Sequence, residues 1–96
     1  MKSLDEIKKI LKKNKTYLRK KYSVEEIGIF GSFSRGDQNS RSDIDLMVSL
    51  KKPLGLEFVD LALELQTILN HKVDLVSKNA LKKRMLVAIK DEVIYV

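Results

Sequence analysis

Residues 27–50 read IGIF, GSFSRGDQNSRSD, IDLMVSL, and this stretch decides the fold. Ile27-Gly28-Ile29-Phe30 is a short apolar run between the acids Glu25 and Glu26 and Gly31, the pattern of a buried strand. The polar segment that follows is rich in turn formers. From Asp43 the pattern becomes strict alternation. Ile44, Leu46, Val48 and Leu50 point one way, and Asp43, Asp45, Met47 and Ser49 the other, as in a strand with one face on a core.

Upstream, Ser3 and Glu6 match a capping box. Leu4, Ile7, Leu11 and Leu18 recur at helical spacing, which predicts a helix over 3–21. Downstream, residues 51–55 form a loop and 56–70 a second helix. Glu57, Asp60, Glu64 and Thr67 make its wet side, and Phe58, Val59, Ala62, Leu65 and Leu69 face inward. Residues 73–76 read as a third strand, 81–90 as a short helix and 93–96 as a terminal strand. Helices interspersed with strands argue for one domain over residues 1–96, a mixed sheet with helices packed on it.

Hydrophobic residues are 44% of the 96 and charged residues 33%, which suits a folded soluble chain. No cysteine is present, so disulfides and thiolate zinc sites are excluded, and a cytoplasmic location is expected. No run is apolar enough for a membrane span or a secretory signal. The net charge of +6 belongs to residues 1–22, which carry nine Lys or Arg against two acids. Such a segment is either a solvated helix face or a surface for an acidic partner. Aromatic residues do not interleave the lysines, so direct nucleic-acid binding is not expected.

Asp43 and Asp45 share one strand face, and two carboxylates about 4 Å apart repel by about 4 kcal/mol at an effective dielectric near 20. A site built so wants a cation, and carboxylates on a rigid strand suit a hard ion such as Mg²⁺. Gly31-Ser32 offers backbone N–H groups and a hydroxyl without bulk, as phosphate oxygens need. Phosphates beside carboxylates call for metal between them, the arrangement of nucleotidyl transfer with two ions roughly 3.5–4 Å apart. Asp74 is out of phase with Val73 and Leu75, and joins the pair if the third strand lies beside the second. A P-loop is excluded because Asp37 and Gln38 stand at its Lys and Ser/Thr positions. A calcium loop opening at Asp37 fails at Arg41, Ser42 and Val48. His71 fits a capping or solvated role, Tyr17, Tyr22 and Tyr95 fit packing near element ends, and Lys82, Lys83 and Arg84 fit a solvated helix face.

Gly-Ser, ten intervening residues and Asp-x-Asp together resemble the signature of the DNA polymerase β nucleotidyltransferase superfamily. Chain length and the Ser-Asp-Ile-Asp-Leu context are similar to its minimal branch, the MntA-like antitoxins. The resemblance implies an α+β, two-layer core whose mixed sheet has strand order 1-2-3. It implies that Gly31 and Ser32 hold the triphosphate, that Asp43 and Asp45 bind both Mg²⁺ ions, and that Asp74 holds one ion and helps deprotonate the attacking hydroxyl. For Arg35 it leaves a phosphate contact and a salt bridge equally open. The implied reaction moves AMP from ATP to a hydroxyl, that of a tyrosine on a HEPN-type ribonuclease toxin, and silences the toxin. The alternatives are an antitoxin that acts mainly by binding, or a catalytic subunit that modifies a small-molecule hydroxyl such as an aminoglycoside's.

Overall fold

In the computed structural model, which describes residues 2–96, the chain enters its first helix, α1 (Leu4–Tyr22), through the expected capping box. The Glu6 N–H donates to the Ser3 hydroxyl at 3.2 Å, and the Ser3 N–H donates back to the Glu6 carboxylate at 3.3 Å. The helix stops at Ser23, which turns left-handed at φ 59° and donates its N–H to the Arg19 carbonyl. Strand β1 (Val24–Phe30) begins three residues before the apolar run does. Glu25 and Glu26 lie inside it, exposed, in a stretch where the pairing register with the neighbouring strand shifts.

A single helical turn, α2 (Ser32–Arg35), follows where only a polar loop was expected. The Gly31 carbonyl accepts from the Ser34 and Arg35 N–H groups, and Phe33 is buried, which anchors the turn. Strand β2 (Ile44–Leu50), helix α3 (Glu57–Leu69) and strand β3 (Val73–Ser77) come next. After a 3₁₀ turn at Lys78–Ala80, helix α4 (Lys83–Ile89) leads to the two-residue strand β4 (Ile94–Tyr95).

The four strands lie in the order β3-β2-β1-β4. The expected 1-2-3 adjacency is therefore present, and β4 extends the sheet beyond β1. β1 is antiparallel to β2 and to β4, whereas β3 runs parallel to β2. A parallel neighbour needs a crossover, and α3 supplies it.

The register settles which side chains share a face. Ile27 pairs with Val48 and Ile29 with Leu46, so these join Ile44 on the core side. Ile7, Leu11 and Leu18 of α1 and Leu61, Leu65 and Leu69 of α3 cover them, all without solvent exposure. Full burial of such a side chain contributes about 1.5–3 kcal/mol. The opposite face carries Glu26, Gly28 and Phe30 of β1 with Asp45, Met47 and Ser49 of β2. Gly28 has no room for a side chain there, since a Cβ would stand 2.5 Å from a Val93 methyl.

Helix α3 faces as expected at Phe58, Leu65 and Leu69, which turn inward, and at Glu57, Asp60 and Thr67, which are exposed, and it departs from the reading at Val59 and Glu64. Leu61 is fully buried, whereas Val59, expected inward, is 58% exposed. Glu64, expected in water, instead accepts hydrogen bonds from the hydroxyls of Tyr17 and Tyr22 on α1, with Lys21 3.4 Å away. Docking against α1 draws Glu64 into these contacts. The two tyrosine bonds hold the Glu64 carboxyl below its ordinary range, while burial raises the Tyr22 hydroxyl. Glu64→Ala is expected to lower stability by about 1.5–3 kcal/mol, the range for hydrogen bonds to a charged group. Equilibrium urea unfolding measures this.

Candidate active site

β2 emerges from the loop with Asp43 just before its first residue and Asp45 one step in. In the parallel pairing, Asp45 stands directly beside Asp74 of β3. The strand adjacency that the sequence could not supply is present, and all three acids occupy one end of the sheet. Asp43 and Asp45 are half-buried, and Asp74 is exposed.

Gly31 lies over Asp45. A Cβ built on Gly31 would fall 2.0 Å from the Asp45 Oδ2 atom, so the carboxylate occupies the space that a side chain would take. The backbone at Gly31, φ 73° and ψ −153°, is open essentially to glycine alone. Gly31-Ser32 thus begins the α2 turn directly above the acids. Among the described residues no backbone carbonyl accepts from the Ser32 or Phe33 N–H. Those donors remain for a ligand oxygen.

Burial pushes the Asp45 carboxyl up to about 6, and the Asp74 and Asp43 carboxylates add to the rise, while Arg35 opposes it. Among the described residues no three His, Cys, Asp or Glu side chains are closed on one point as a metal cage. The Asp43 carboxylate has the Lys72 ammonium 4.0 Å away. Like charges repel when nothing lies between them. The donor set is entirely carboxylate oxygen, which fits Mg²⁺ rather than a soft metal.

Arg35 is half-exposed and forms ion pairs with Glu92 at 2.8 Å and Asp37 at 3.1 Å. The salt bridge of its two sequence readings is present, and it uses two of the five guanidinium N–H donors, which leaves the phosphate contact open. Glu92 has no counterpart in the sequence reading. It precedes a short strand, and no local pattern marks it. His71, expected to be a cap or solvated, is half-buried and supports the loop before Asp43. Its Nε2–H donates to the Ser42 carbonyl at 2.7 Å, and its ring meets that of Phe33 edge-on at 5.7 Å.

A three-stranded mixed core with acids on adjacent strands, beneath a Gly-Ser turn, defines the class of nucleotidyltransferase domains. The chain belongs to the polymerase β nucleotidyltransferase family, whose sequence model matches residues 5–96. Protein adenylyltransferase MntA of Thermococcus cleftensis is 40% identical over the whole of this chain and 98% of its own length. A solved structure described as a minimal nucleotidyltransferase superposes with a TM-score of 0.81 at 26% identity, covering 97% of this chain and 95% of that one. A toxin–antitoxin structure with AMP-PNP superposes at 0.67 with 27% identity, covering 96% of this chain and 70% of that one. No described helix is long and apolar enough to cross a membrane.

Proposed function

We propose that this chain is an antitoxin that transfers AMP from ATP to a tyrosine hydroxyl of a cognate HEPN-type ribonuclease toxin and thereby neutralises it. The observation that carries the reading is the placement of Asp74 beside Asp45, with Gly31 seated on the Asp45 carboxylate. Adenylyl transfer by the Thermococcus relative and the nucleotide analogue in the toxin–antitoxin structure support it.

Each residue has a part in this reading. The Ser32 hydroxyl and the free N–H groups of the α2 turn bind triphosphate oxygens. Asp43, Asp45 and Asp74 would hold two Mg²⁺ ions, which when bound offset the triphosphate charge and polarise the α-phosphate. Asp74, exposed on its strand, is where the acceptor approaches, and its carboxylate takes the proton from the attacking hydroxyl. The oxygen of that hydroxyl bonds to the α-phosphorus as the bond to the pyrophosphate oxygen breaks. The Gly31 contact keeps the Asp45 carboxylate in one place while this happens.

Purified protein mixed with its cognate toxin, ATP and Mg²⁺ is expected to yield toxin heavier by whole adenylyl groups on tyrosine, read by intact and peptide mass spectrometry. Unmodified toxin in the wild-type reaction would overturn the reading. Neutralisation that persists in the Asp43→Asn, Asp45→Asn double variant would show an antitoxin that acts by binding.

A further inference from the structure

We propose that Glu92 is a positioning residue of this site, holding the Arg35 guanidinium so that its free N–H groups meet the triphosphate. The inference rests on the function proposed above and concerns a residue outside the family's motif.

The contacts are specific. The Glu92 carboxylate accepts from Arg35 Nη1 at 2.8 Å, and the Glu92 backbone carbonyl accepts from the Ser34 hydroxyl. One residue thus grips two consecutive members of the α2 turn, the turn that opens at Gly31-Ser32 above Asp45. The side chain of Glu92 is 19% exposed, against 61% for Asp37, the other acid on Arg35. An exposed pair two residues apart holds a guanidinium loosely, whereas a largely buried carboxylate fixed by its own backbone holds it in one orientation. Arg35 has five N–H donors, and its contacts to Glu92 and Asp37 use two of them. Three remain for phosphate oxygens. Glu92 precedes β4, which is hydrogen-bonded to β1, so the grip is anchored in the sheet. An arginine fixed before the nucleotide arrives need not be ordered on binding, and that saving appears as affinity.

The test is nucleotide affinity, measured by isothermal titration of ATP with Mg²⁺ into wild type, Glu92→Ala, Glu92→Gln, Arg35→Ala and the Glu92→Ala, Arg35→Ala double variant. Kd is expected to rise about tenfold in Glu92→Ala and more in Arg35→Ala. The double variant is expected to match Arg35→Ala alone, because Glu92 acts through that side chain. Glu92→Gln keeps an acceptor for Nη1 and is expected to recover most of the loss. In turnover assays Glu92→Ala is expected to raise KM for ATP more than it lowers kcat. Additive effects of the two alanine variants, or equal losses in Glu92→Ala and Glu92→Gln, would reduce Glu92 to a structural role and overturn the inference. Tighter binding by Glu92→Ala would also overturn it, showing that the pair competes with the nucleotide. A wild type that binds no nucleotide would overturn the proposed function and this inference with it. A wild type that binds, beside a Glu92→Ala variant that binds as well, defeats the inference alone.

Discussion

Asp45→Asn is expected to abolish AMP transfer while making the metal-free protein more stable. The two effects have one cause. Asp45 is half-buried among the Asp74 and Asp43 carboxylates, which is costly for its charge and useful only when a cation shares the site. Replacing the carboxylate with an amide removes a metal ligand, and a loss of several kcal/mol of transition-state stabilisation is about 10³-fold or more in rate. The same change removes the repulsion. The Asp45 carboxyl is pushed up to about 6 in the folded chain, from an ordinary 3.8. Between those values the folded state binds more protons than the unfolded one. This contribution to stability is therefore fully present below about pH 3.8 and lost as pH rises through about 6. After discounting for solvent around a partly exposed group, the cost at neutral pH is about 1–2 kcal/mol. In metal-free buffer, Asp45→Asn should melt higher than wild type at pH 7.5, and the gap should narrow as pH falls through about 6 and close only toward pH 3.8. Added Mg²⁺ should raise the wild-type melting temperature and leave that of the variant nearly unchanged. A variant less stable than wild type at pH 7.5 would contradict the account.

Gly31→Ala is expected to lose both stability and activity. At φ 73° and ψ −153° an alanine is strained by about 1–3 kcal/mol before any contact is considered. Its Cβ would also fall 2.0 Å from Asp45 Oδ2 and 2.9 Å from Cγ, so the whole carboxylate must move. A misplacement on that scale costs about 10²-fold in rate. Gly36→Ala separates the two terms. Gly36 is also left-handed, at φ 85°, but nothing lies within 4 Å of its would-be Cβ. It should lose stability through backbone strain while keeping most of the transfer rate. Chemical denaturation and initial rates of toxin modification, measured side by side, test the pair. Equal rates for Gly31→Ala and wild type would show that Asp45 does not need its present seat.

The amino-acid order by itself determined the elements whose signals are local. The Ser3 and Glu6 box places the start of α1, and the alternation from Asp43 to Leu50 puts two acids on one face of β2. The phase of Asp74 against Val73 and Leu75 was also legible, because side chains alternate along any strand whatever its neighbours. Only the tertiary structure decided which strands are neighbours. The α3 crossover lays β3 parallel to β2 with Asp74 beside Asp45, a pairing between residues 29 apart that no local pattern encodes. It also decided single positions of α3, where Val59 is exposed and Glu64 is tied to two tyrosines of α1. Arg35 shows the division most clearly. The sequence left it two roles, and Glu92, 57 residues away, settles its partner. A charged side chain takes the nearest opposite charge that folding brings to it, and that distance is a property of the packed chain rather than of its order.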